Sequence, residues 1–107
     1  MNTNVLKDIP YADDKMGKRK VVDTDDILIM QIALKPGQAV PDHNANSNVH
    51  LLIIEGTITA NLDGTENTLE KGSLTPVAYK TPMQIKNKTD TPATFLVLKT
   101  PNPAKMS

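Results

Sequence analysis

Between Lys18 and Thr100 the chain falls into eight short β-type runs, each closed by Gly, Pro, Asn or Asp. They read "KRKVVD", "DILIMQIALK", "SNVHLLIIEG", "TITANLD", "ENTLEKG", "SLTPVAY", "MQIKNK" and "ATFLVLKT". Breaks this frequent leave no window for a helix with a sustained apolar stripe. Runs of this length and spacing instead predict the strands of a sandwich or barrel. The run "DILIMQIALK" is apolar at nearly every position and is rich in β-branched residues at its start, so it is expected as a buried strand rather than a helix.

The turn residues sharpen this. Asp63-Gly64 lies between alternating residues and predicts a tight hairpin, because both types tolerate the positive φ such a turn needs. Gly37 in "KPGQ" and Gly72 in "EKGS" mark further turns. Pro76 cannot donate to a ladder, so its strand is expected at an edge, bulged or interrupted. Residues 1–20, polar and broken by Pro10 and Gly17, are expected to form an N-terminal arm with a short strand around Val5 and Leu6. A barrel domain is expected over 21–100, followed by an extended or disordered Pro-rich tail over 101–107.

With 107 residues the chain is expected to form one domain, able to bury roughly two-thirds of the surface its unfolded form exposes. Only three residues are aromatic, Tyr11, Tyr79 and Phe95, which leaves the core to Val, Ile, Leu and Met. Twelve basic residues balance twelve acidic ones, so the overall charge points to neither nucleic acid nor an anionic membrane. There are no cysteines, which removes disulfides, thiolate nucleophiles and Cys-type zinc sites together. The amino terminus lacks the features of a signal peptide, and no run approaches the length of a membrane span; a soluble cytoplasmic protein is expected.

Spacing across two blocks says more. Five residues separate Gly37 from His43, and Ala45, Val49 and Gly56 follow; farther on, Gly72 leads through Ala78, Lys80 and Met83 to Asn87. These intervals are similar to the two motifs of the cupin superfamily, small double-stranded β-helix (jelly-roll) barrels. Both motifs fit without a gap, joined by the short hairpin around Asp63-Gly64. The resemblance covers roughly residues 20–100 and implies an all-β, cupin-like barrel.

Its contents depart from the pattern where metal-binding cupins carry their ligands. Those proteins use two histidines and a glutamate from the first motif and a histidine from the second. Here the four positions hold His43, Ala45, Val49 and Met83, of which only His43 offers a hard or borderline donor. No metal and no other cofactor are therefore expected. His50, one position past the glutamate position, does not restore the set: alternation along an extended strand puts Val49, Leu51 and Ile53 on one face and His50, Leu52 and Ile54 on the other. A bulge near Asn48 would reverse that assignment and leave an irregular metal site open.

The interior is expected to be apolar, with Met30, Ala45, Val49, Leu51, Ile53 and Met83 as its wall. His43, Gln31, Gln84 or Tyr79 would fix the polar end of a bound molecule, giving a ligand-binding set of His43, Gln31, Tyr79, Met83, Gln84, Val49 and Leu51. Catalytic residues are not identified, although Tyr79, Gln84 and Asp42 are the candidates to assist His43 in proton transfer. Runs such as "HLLIIE" and "FLVL" are apolar on both faces, so Leu52, Ile54, Leu96 and Leu98 would form an outward patch. A C2 homodimer is expected, as the resemblance also implies. The leading functional expectation is a metal-free small-molecule-binding or accessory protein. A metal-independent isomerase or lyase, an atypical metal-dependent oxygenase and a structural or regulatory dimerisation module stand as alternatives.

Overall fold

The structure, a computed structural model, describes residues 2–106. Among these the chain forms β1 (Gly17–Asp23), β2 (Leu28–Leu34), β3 (Ala39–Asn44), β4 (Asn48–Glu55), β5 (Thr57–Leu62), β6 (Thr65–Glu70), β7 (Leu74–Val77), β8 (Pro82–Lys86) and β9 (Ala93–Thr100). All strand pairs are antiparallel, and they build a five-stranded sheet ordered β1-β2-β9-β4-β7 and a four-stranded sheet ordered β3-β8-β5-β6. The result is an all-β barrel of two facing sheets.

Alternation explains how the sheets share the core. On β9, Ala93, Phe95 and Val97 point between the sheets; on β4, Val49, Leu51 and Ile53 do the same, and all are buried. From the facing sheet Ile58, Ala60, Leu69, Met83 and Ile85 meet them. The hairpin at Asp63-Gly64 forms with Leu62 opposite Thr65, and both turn residues have positive φ. Pro76 sits on β7, an edge strand, where its missing N–H leaves no gap in an inner ladder.

Gly56, the last glycine of the first motif, shows what such positions demand. Its φ is +78°, and a Cβ there would lie 2.5 Å from the Pro92 carbonyl oxygen. Any side chain would force β4 and β5 away from the segment entering β9.

Three elements differ from expectation. "AVPDHN" forms β3, although its polar residues and internal proline do not read as a strand; it is an edge strand paired only to β8, with most side chains in water. Val5 and Leu6 lie in turns rather than a strand, and the arm is nonetheless fastened: Arg19 Nη1 donates to the Asp8 carbonyl at 2.9 Å and Gln31 Nε2 to the Val5 carbonyl at 2.8 Å. The tail ends in a short 3-10 turn, Pro103–Lys105, rather than running on extended. Buried Asn102 holds it, donating to Asp23 Oδ1 at 2.7 Å and the Thr24 carbonyl at 2.9 Å.

Candidate functional site

The two edge strands β1 and β3 belong to different sheets and are not paired with each other. Between them the barrel opens into a cavity of about 290 Å³. Ile32, Leu51, Phe95 and Val97 of the five-stranded sheet form one wall, and Val40, Met83 and Ile85 form the other. Those walls are aliphatic and aromatic, while the polar groups stand at the lip: His43, Asp42, Lys18 and Lys99. Apolar depth with a few polar groups at the opening is the usual build of a small-molecule pocket.

His43 reaches the lip because β3 carries a bulge. Val40 pairs with Ile85 and His43 with Met83, so three steps on β3 match two on β8. In a regular strand residues 40 and 43 would face opposite sides; the extra residue in the Pro41-Asp42 stretch brings both to the cavity side. The His43 ring lies with Nδ1 2.9 Å from the Pro41 carbonyl oxygen. That oxygen only accepts, so Nδ1 carries the proton and donates, which in the neutral ring leaves Nε2 as an acceptor.

The other expected residues separate. Met83 and Leu51 line the cavity, whereas Val49 lies in the packed core beside it. Gln84 alternates with Met83 and Ile85 and faces outward, donating to Asp42 Oδ2 at 3.1 Å. Tyr79 is exposed in the turn after β7, with the Lys80 ammonium 5.4 Å from its ring centre, and is not part of the cavity wall. Gln31 is fully buried but on the opposite side of β2 from Met30 and Ile32. There it accepts from Arg19 Nε at 2.9 Å and donates to Val5 O and to Thr94 Oγ1, at 2.8 and 2.9 Å. Gln31 therefore anchors the N-terminal arm. Adjacent strand residues point to opposite faces, which keeps Gln31 out of the cavity that Met30 lines, contrary to the expectation that both belong to it.

Two residues that belong to the site were not singled out from the sequence. Lys99 follows Phe95 and Val97 at the strand period of two, and its register partners Leu28 and Val49 place it on the concave side. Lys18, opposite Ile32 on β1, joins it at the lip. Partial burial pushes the Lys99 ammonium below the ordinary lysine value, and the nearby charge of Lys18 adds to that. Among the described residues neither lysine is in an ion pair, whereas Lys20, Lys35, Lys71, Lys88 and Lys105 each pair with a carboxylate.

The donor set does not fit a divalent metal. Ala45, Val49 and Met83 are buried at their motif positions, and the Ala45 N–H donates to the Thr81 carbonyl at 2.8 Å. No bulge lies near Asn48: His50 pairs with Leu98 and Pro76 and projects from the outer face, away from His43. Among the described residues no three His, Asp or Glu side chains converge as a metal site would require. The last motif residue, Asn87, has a structural task. Its Nδ2 donates to the Leu34 and Thr91 carbonyls, and its Oδ1 accepts from Thr89 N and Oγ1, which ties the turn after β8 to the end of β2.

Two antiparallel sheets enclosing an off-centre cavity make this a double-stranded β-helix, and comparison with known proteins identifies its kin. An uncharacterised protein of Methanocaldococcus jannaschii is 35% identical over 89 residues, 82% of this chain and 77% of that one. The crystal structure of that same protein, described as an RmlC-like cupin family protein with a double-stranded β-helix fold, superposes with a TM-score of 0.82 at 31% identity, covering 94% of this chain and 89% of its own. A protein from Thermus thermophilus matches with a TM-score of 0.85 at 25% identity, covering 92% and 95%. An RmlC-like cupin from Desulfovibrio desulfuricans, at 22% identity, shares the fold with a TM-score of 0.84 over 94% and 96% of the two chains. No family profile matches the sequence. The chain belongs to the RmlC-like cupin family.

Proposed function

We propose that this cupin is a small-molecule-binding or accessory barrel that works without a bound metal, holding a compact, largely apolar ligand between its sheets. The observation that carries this reading is the cavity itself. Its volume of about 290 Å³ is near the lower end of the range for ligand pockets, and its depth is apolar. Such a volume argues against a closed barrel that serves only as a dimerisation module. The missing donors at Ala45, Val49 and Met83 argue against the metal-dependent oxygenase alternative. An isomerase or lyase would have to rely on His43 Nε2 together with a lysine amine at the lip. On this reading the protein is cytoplasmic and acts as a homodimer, with no role for nucleic acid or membrane. Among the described residues no helix is long and apolar enough to cross a membrane.

The test uses indole, a neutral apolar probe, followed by backbone amide shifts in protein stripped with chelator. Binding on the order of 0.1–1 mM is expected for so small a ligand, with shifts confined to the strands that line the cavity, β1, β2, β3, β4, β8 and β9. A Met30→Trp variant, which fills the cavity from its wall, should abolish them. Shifts located elsewhere would refute the site. Stoichiometric metal in untreated protein that disappears in His43→Ala would refute the metal-independent reading.

A further inference from the structure

We infer that the ligand of this cavity is a small amphipathic anion, a carboxylate or similar acid whose apolar body lies between the sheets and whose head group is held by Lys18 and Lys99. The inference rests on the reading of the cavity as a binding site and adds the chemical class of what it binds.

Lys99 carries the argument. It is half-buried and stands on the strand face that otherwise supplies Phe95 and Val97 to the cavity. A partly desolvated ammonium is costly unless an anion or a set of acceptors compensates it. Among the described residues it has no hydrogen-bond acceptor and no ion-pair partner, and the charge that acts on it is another cation, Lys18. Two like charges converging on one apolar opening disfavour each other, and an anion placed between them relieves both.

The remaining titratable groups at the lip fit this arrangement. Asp42 lines the opening from the β3 side, but one of its carboxylate oxygens is engaged by Gln84 on the outer face of the barrel. His43, with Nδ1 turned to the Pro41 carbonyl, presents Nε2 at the same lip. When the ring is protonated that nitrogen is a third donor to an acid head group; when neutral it accepts a hydrogen bond from a hydroxyl or an undissociated acid. The lip thus carries two lysine ammonium groups, the His43 ring and one carboxylate already engaged by Gln84, above an uncharged interior. A neutral apolar molecule would use the interior and leave both ammonium groups uncompensated. An acid would use both.

Matched pairs of acid and neutral analogue test this: phenylacetate against phenylacetamide, and straight-chain carboxylates of four to eight carbons against the corresponding alcohols, titrated by calorimetry and amide shifts at low and high salt. The acids should bind about tenfold or more tightly than their neutral partners, as expected for charge-assisted hydrogen bonds, and the preference should shrink with added salt. Lys99→Met should remove most of the preference while leaving affinity for the neutral members within about twofold. Lys18→Gln, on the exposed edge strand, provides a second variant less exposed to folding defects and should weaken the preference in the same direction. If acids and neutral analogues bind equally, or if both variants keep the full preference, the anion inference fails and the cavity reading survives. If no member of either series binds, the cavity reading fails and the inference fails with it.

Discussion

One step along a strand separates the roles of Lys99 and Gln31. Lys99 shares its face with Phe95 and Val97 and reaches the cavity; Gln31, one residue from Met30, is turned to the outer face and engages its amide with the arm. Motif spacing marked His43, which the β3 bulge brings to the cavity lip, and strand parity marked the outward turn of His50. The lysines were not legible, because a charged residue in an apolar run reads as a surface group unless parity is counted from Phe95. The pKa of Lys99 gives a separable prediction. Because its folded-state value is lowered, the unfolded chain binds the proton more tightly, and the protonated amine destabilises the fold throughout the range below both values. As pH rises from the folded-state pKa towards the ordinary lysine value of 10.5, that penalty is relieved and stability is gained. Lys99→Met should therefore melt at a higher temperature than wild type at neutral pH, with the gap narrowing as pH climbs towards that value. Thermal melts of the two proteins across the alkaline range check this, and a variant less stable at neutral pH would contradict it.

At the scale of elements, the punctuation was readable and the bulges were not. Eight runs became strands because each pairs apolar content with a turn that the local residues support. β3 escaped notice because "AVPDHN" is held by backbone pairing to β8 alone and contributes little to the core, so neither hydropathy nor propensity marks it. Its bulge is the product of register against β8, a relation between distant segments that local sequence does not carry. The same holds at the end of β4, where the register against β9 shifts between Ile53 and Glu55 just before Gly56. Two glycine substitutions separate conformational cost from crowding. Gly64→Ala meets nothing within 4 Å and is penalised only by its φ of +87°, an expected loss of about 1 kcal/mol. Gly56→Ala carries a similar conformational cost and also drives a methyl group against the Pro92 carbonyl and Ala93, so its loss should exceed about 3 kcal/mol. Urea unfolding of the two variants measures both, and equal losses would mean that the β5–β9 approach yields more easily than its geometry indicates.

The whole molecule is two-sided in a way that bears on assembly. The outer face of the four-stranded sheet is polar, with Gln84 and Lys86 exposed, Thr59 and Asn61 partly so, and a Lys88–Glu66 ion pair across it. The outer face of the five-stranded sheet instead shows Ile29, Leu52, Leu96 and Leu98, all only partly buried, and Leu74 at 60% exposure. Register places Leu52 beside Leu96 and Leu74, and Leu98 beside Ile29 and His50, so these side chains form one continuous surface rather than scattered contacts with water. Leaving it exposed while the other sheet is polar would be costly, and a second copy across a twofold axis meets the same surface with itself. The N-terminal arm, pinned through Arg19 and Gln31, covers one end of this face and would lie beside such an interface. We expect the protein to sediment at twice its 11.7 kDa chain mass at tens of micromolar. Leu96→Lys together with Leu98→Lys should bring it to the monomer mass, because buried ammonium groups at the centre of a self-facing surface oppose each other. Thr59→Lys, on the polar face, should leave the mass unchanged. A wild-type protein already at the monomer mass would show that the apolar face is tolerated in water. A shift with Thr59→Lys alone would place the interface on the four-stranded sheet instead.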